Sequence, residues 1–247
     1  MKDTIGSVNK IKSLLSALRK QFKAAAPPQG MEPLDVLTLA ILRRNCTLGE
    51  ATEGLRRLHE EFVDFNEMRV APPKDIVDLL QRNMADVRMK AEQLTQTLNR
   101  VYDHGNELDL KHLAEMGKRE LKEHLRGSLL LDEFGEAYLM SHLFDAPVVP
   151  MDDRLAGKLK EEGYFAPDAS ATRMREVLEE AIPGRSRPEA FELLSQYAAE
   201  PAAAAKAKRK KPAEESQAAP ARKAAKADKA AKAKPAAKRP DAKKKKS

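Results

Sequence analysis

The 247-residue chain contains no tryptophan, one cysteine (Cys46) and only 4% aromatic residues. One cysteine excludes an internal disulfide and any metal centre built on several thiolates, and it fits a reducing compartment. No apolar run approaches the ~20 residues of a membrane-spanning helix, so no membrane partner is expected. The first residues, Met1–Gly6 (MKDTIG), lack the apolar core of a signal peptide, which points to a cytoplasmic protein. No segment alternates apolar and polar residues as a half-buried strand would. A glycine-rich phosphate loop is also missing, which argues against nucleotide-driven chemistry. The five histidines, His59, His104, His112, His124 and His142, show no metal-ligand spacing along the chain, so neither a metal nor a cofactor is expected.

What is present divides sharply by charge. Residues 201–247 hold 17 of the 45 basic residues and 4 of the 38 acidic ones, a net +13, which leaves residues 1–200 at −6. Residues 201–247 contain no Leu, Ile, Val or aromatic side chain. Such a segment cannot bury enough apolar surface to offset chain entropy and is expected to be disordered by itself. Its Lys/Ala/Pro composition resembles linker-histone tails and implies non-specific binding to nucleic acid through Lys208, Arg209, Lys210, Lys211 and Lys243, Lys244, Lys245, Lys246. A nucleoid-associated location is the corresponding expectation.

Residues 1–200 read as one all-α domain with roughly ten helices. Ile5, Val8, Ile11, Leu15, Leu18 and Phe22 give residues 3–23 an apolar face, with lysines and Arg19 around it. Ala24–Gly30 is a linker. Pro33 opens a helix that is apolar nearly all round and therefore central, running to about Arg44. Thr47 and Glu50 form a capping box for the next helix, to Phe62. Val63–Pro72 reads as a connection and Met84–Asp103 as a long helix. Further helices fall at 73–81, 110–115, 119–125, 131–144, 154–162, 170–182 and 188–198.

The segment with the most chemistry is Ser128–Leu155. Leu131, Phe134, Tyr138, Leu139 and Leu143 recur at helical spacing. Asp145 and Pro147 stop that helix, and Val148-Val149-Pro150-Met151 is apolar and extended. Asp152 and Asp153 then open another helix, where a carboxylate meets free backbone N–H groups.

Val149-Pro150-Met151-Asp152 resembles the VPVD segment of the helix-hairpin-helix DNA glycosylases, the endonuclease III-like superfamily. Met31–Leu42 is similar to that family's "PFELLIAVLLSAQ" helix, and Asn45 falls where the family has a DNA-inserting glutamine. The resemblance spans about Glu32 to Tyr164. It implies an all-α, two-lobed fold, DNA as partner, and Asp152 as catalytic carboxylate, with Asp153 the alternative. It also implies a base-excision role in which a fixed carboxylate stabilises positive charge on the sugar of a flipped-out nucleotide. Departures are specific. Both hairpin glycines are gone, Phe134 stands where bifunctional enzymes carry lysine, and Arg154 replaces a histidine. A monofunctional glycosylase without lyase activity is therefore expected, if the chain is an enzyme. Arg43, Arg44 and Asn45 would lie near the DNA backbone, and Arg126 with Gly127 would offer a remnant phosphate contact. Two alternatives stand beside this reading: a catalytically inactive architectural DNA-binding protein, and a helical protein-interaction domain tethered to DNA by its tail.

Overall fold

The computed structural model describes residues 2–23, 30–80 and 84–200. Most of the 24–30 linker and all of the basic segment from 201 onward lie outside them. Among the described residues the chain is all-α, with eleven α-helices, two 3-10 turns and no strand.

The first lobe is built around α2 (Pro33–Leu42), which buries residues on every side and packs against α3 (Leu48–Glu61), α6 (Val87–Gly105) and α8 (Glu133–Leu143). Pro33 starts α2 because a first-turn residue needs no N–H partner. The capping box at the start of α3 forms as the sequence requires: Glu50 N–H donates to Thr47 Oγ1 at 3.2 Å, and Thr47 N–H donates to Glu50 Oε2 at 2.7 Å. Helix α5 (Pro73–Leu80) closes this lobe over α3 and α6, and α7 (Lys118–Gly127) precedes α8.

The second lobe brings together the two ends of the domain. Helix α1 (Lys2–Gln21) lays Val8, Ile11, Leu14, Leu15 and Leu18 against α10 (Ala171–Ala181) and α11 (Arg187–Ala199). Its Lys10, Lys12 and Lys20 face solvent. Helix α9 (Asp153–Glu161) packs on α11. Phe191 of α11 enters the core of the first lobe and joins the two.

Two elements differ from the sequence reading. Residues 63–72 contain a short helix, α4 (Phe65–Val70), capped by Asp64, whose Oδ1 accepts from Glu67 N–H at 2.8 Å. Six residues are too few to show a helical period, so only the cap and the buried Met68 betray it. Helix α6 begins at Val87 rather than Met84, because Asp86 sits in the left-handed region (φ 54°).

Candidate functional site

The apolar segment Val148–Met151 runs extended, with Val149 and Met151 buried, and delivers Asp152 to the start of α9. Asp152 is the N-cap. Its Oδ1 accepts from Leu155 N–H at 2.8 Å, satisfying one of the free donors of the helix end. Its Oδ2 accepts from Asn45 N–H, also at 2.8 Å. The carboxylate is thus shared between two segments 107 residues apart, and the residue is only 8% exposed. Asp153 points outward with its side chain 84% exposed, and Arg44 Nη2 reaches it at 3.5 Å.

Asn45 is the pivot of this arrangement. It lies just beyond α2 with φ 55°, a left-handed conformation that asparagine tolerates better than most residues. That turn aims its N–H at Asp152. Its side-chain Oδ1 accepts from Arg154 N–H at 3.2 Å, and its Nδ2 donates to Asp86 Oδ2 at 3.1 Å. One asparagine therefore ties the exit of α2 to the starts of α9 and α6.

Arg43, Arg44 and Asn45 have three different surroundings. Arg43 corrects the expectation of a DNA-facing side chain, because it is fully buried. Its Nη2 pairs with Glu192 Oε2 at 2.6 Å, and its Nη1 donates to Ser195 Oγ at 3.2 Å and to the Cys46 carbonyl. The guanidinium also lies 5.0 Å from the centre of the Phe191 ring. A sealed ion pair cannot reach a phosphate; its work is to lock the α2 exit onto α11. Burial pushes the Glu192 carboxyl above its usual range, and Arg43 pulls it back. Arg44 is partly exposed and bridges Asp132, at 3.0 Å, and Asp153.

The connection between α7 and α8 is Ser128–Asp132. Leu129 and Leu131 turn inward, and Leu130 between them takes φ 58° and is 38% exposed. Thr97 Oγ1 and Gln93 Nε2 of α6 hold the carbonyls of Leu129 and Leu130 at 3.0 and 3.1 Å. At the start of α8, Asp132 Oδ1 accepts from Gly135 N–H at 2.7 Å. The donors that could cradle a phosphate there already face a carboxylate. Arg126 pairs with Glu136 and lies 3.8 Å from Glu133, while Gly127 ends α7 in open space. Phe134 is buried with Tyr138 and Phe191, so the position that the resemblance aligns with a lysine is core.

Two features escaped the sequence reading. Lys90 is buried on α6 with its Nζ 3.0 Å from Cys46 Sγ, and burial pushes its ammonium below the usual lysine range. Its signal was there: Lys90 lies three residues after Val87 and four before Leu94, on the apolar face. His104, His112 and His124 meet although they come from three elements, and no sequence spacing could reveal that. A four-cysteine iron–sulfur centre does not fit this chain, whose one cysteine is buried against Lys90. Lys208, Arg209, Lys210, Lys211, Lys243, Lys244, Lys245 and Lys246 lie outside the described residues.

The same fold is found in solved structures. A trapped endonuclease III–DNA covalent intermediate superposes with a TM-score of 0.58 at 17% identity, covering 76% of this chain and 84% of the other. The fold is that of the helix-hairpin-helix DNA glycosylases. A thermostable thymine-DNA glycosylase matches with a TM-score of 0.54 at 17% identity, over 79% of this chain and 88% of its own. The 3-methyladenine DNA glycosylase of H. pylori, bound to 1,N6-ethenoadenine, matches with a TM-score of 0.54 at 13% identity, over 75% and 94%. No protein-family model and no curated protein matches the sequence. At these identities the glycosylase fold is shared while the side chains have diverged. No described helix is long and apolar enough to cross a membrane.

Proposed function

We propose that this is a DNA-binding protein of the nucleoid, built on the glycosylase fold, in which the aspartate of the glycosylase segment serves as a structural tie and releases no base. The observation that carries this reading is the double engagement of Asp152 by Asn45 N–H and Leu155 N–H in an 8% exposed position. A carboxylate that must stabilise a sugar cation or activate water needs a face directed at the substrate. The acids near the α7–α8 connection support the same reading. Asp132 occupies the start of α8, and Glu133 and Glu136 hold Arg126. DNA is then gripped chiefly by the basic segment beyond residue 200, through phosphates and without base reading.

The second reading is a monofunctional base-excision glycosylase. It rests on the position of Asp152 at the end of the buried Val149–Met151 arm, where the resemblance expects the catalytic carboxylate. One experiment separates the two. Purified full-length protein is incubated with duplexes carrying a panel of damaged bases, and both binding and base release are followed. Binding without release for every lesion is the expected result. Release of any base, lost in Asp152→Asn, establishes the second reading instead.

A further inference from the structure

We propose that His104, His112 and His124 form an acid-sensitive latch: neutral, the three imidazoles hold the 3-10 turn Lys111–Glu115 and α7 to the end of α6, and protonation releases both. The inference does not depend on Asp152 or on the reading of its role. His104 lies in the last turn of α6, His112 in the 3-10 turn, and His124 in α7. The His104 and His112 rings lie 4.1 Å apart between centres, with 30° between their planes. His124 meets both nearly edge-on, at 5.4 and 5.3 Å. The Nε2 atoms of His112 and His124 face each other at 3.4 Å. That contact needs one ring to donate and the other to accept, so at least one must be neutral. With both protonated, two N–H donors face each other and two like charges share one gap.

Apolar anchorage of these elements is modest. The 3-10 turn buries Leu113, and α7 buries Leu121 and Leu125. The connection after α7 is fastened separately, by Thr97 and Gln93 of α6 on the carbonyls of Leu129 and Leu130. A charged cluster therefore loosens residues 111–127 while the connection stays anchored. Local opening of this kind falls to segments with few buried apolar contacts.

The charged groups around the cluster do little to favour the protonated form. Burial, then His104 and His124, hold His112 below the usual histidine range; burial, then His104, does the same to His124. Asp109 and Glu115 oppose that shift at His112, and Glu120 opposes it at His124. Asp109 is already engaged by Lys111 at 2.7 Å, and Glu115 and Glu120 are exposed to water. From α8, Glu136 pairs with Arg126 and Lys122, and Glu133 with Arg126. Those two bases stand two residues either side of His124 and so lie off its face. Unfolded histidines take up protons near pH 6.5, above the folded pair, so the latch is whole above that pH and weakens as pH falls below it. Ordinary carboxylates titrate lower, at about pH 4, which leaves the histidine window separate.

The test follows backbone hydrogen exchange of the full-length protein at about pH 7.5 and about pH 5.5, each rate corrected for the exchange of an unstructured chain. Protection of residues 111–127 should fall several-fold at the lower pH, while that of α2 changes less. His124→Gln, checked by circular dichroism for intact helicity at neutral pH, should remove the acid response of 111–127. His142→Gln should leave that response in place, although burial also holds His142 of α8 below the usual range. Imidazole proton resonances of the unaltered protein should show His112 and His124 titrating below the histidine range of short peptides, each moving as the other gains its proton. Unchanged protection over 111–127, a response that survives His124→Gln, or one abolished by His142→Gln overturns the proposal. So does independent titration of His112 and His124 in the ordinary range, which decides the matter even if a variant fails to fold.

Discussion

Asp152→Asn replaces one carboxylate oxygen by an amide that cannot accept a hydrogen bond. Asparagine caps helices well, so the bond to Leu155 N–H survives the change. The contact with Asn45 N–H does not, because two donors would then face each other. A buried donor left without an acceptor costs about 1–3 kcal/mol, more than the loss of a simple cap would suggest. Urea unfolding of Asp152→Asn should show that loss; a variant as stable as the parent would mean the tie to Asn45 carries no energy. Arg43 presents a larger effect. Arg43→Met strands Glu192 in the interior and should cost about 3–5 kcal/mol, whereas pairing it with Glu192→Leu should recover most of the loss. Two single variants and the double variant, compared by denaturant midpoint, close that cycle. Lys90 makes a pH-dependent prediction. Its folded-state pKa lies below the unfolded value near 10.5, so the unfolded chain holds a proton that the folded chain has released between those two values. Stability must rise with pH through that window. Lys90→Met removes both the buried ammonium and the rise. Its melting temperature should therefore exceed the parent's most at about pH 7, with the gap shrinking towards about pH 10. A constant gap would mean that packing, not charge, sets the difference.

Among the elements, the α7–α8 connection shows how a tight turn is made without a glycine at its left-handed position. Leu129 and Leu131 are anchored in the core, which forces the intervening Leu130 into a left-handed backbone. That conformation costs an L-residue roughly 1–2 kcal/mol, partly offset because leucine loses less backbone entropy on folding than glycine. Leu130→Gly should change stability by no more than about 1 kcal/mol, because relief of the left-handed backbone is offset by losing the covered part of a side chain that is 38% exposed. A clear loss of stability, read by thermal unfolding, would show that Leu130 packs on something it must keep. The Asn45 turn differs: its left-handed backbone is accompanied by side-chain bonds to Arg154 N–H and Asp86, which glycine could not make. Thus α2, α6 and α9 meet through one residue type chosen for two properties at once.

In the molecule taken whole, charge is distributed against the fold. Residues 1–200 carry −6 and residues 201–247 carry +13. That segment places 17 cations within 47 residues, enough to neutralise many phosphates of a duplex. Each neutralised phosphate contributes about −0.9 to the slope of log K against log salt, so engagement of half the cations gives roughly −7. Removing residues 201–247 should lower duplex affinity by orders of magnitude at low salt and flatten that slope, while helicity and melting of the remainder change little. Binding of full-length and shortened protein across a salt series makes the comparison. Equal slopes would assign DNA binding to the helical domain alone.

The sequence by itself determined the helices other than the six-residue α4, because an apolar period of 3.6, the Thr47–Glu50 box and the prolines act within a few residues of where they stand. It also determined the central place of α2, whose apolar surface on every side has to be covered. Likewise it marked Asp152 as a cap, since that bond closes over three residues. Tertiary structure alone decided the rest. Arg43 in sequence is one more base at a helix exit; only Glu192, 149 residues away, makes its burial tolerable. Asp152 becomes a two-sided tie only when Asn45 arrives from the other end of the first lobe. The three histidines meet only when α6, the 3-10 turn and α7 pack together. In each case the partner is supplied by long-range packing, and local pattern carries no information about which distant residue will occupy the facing position.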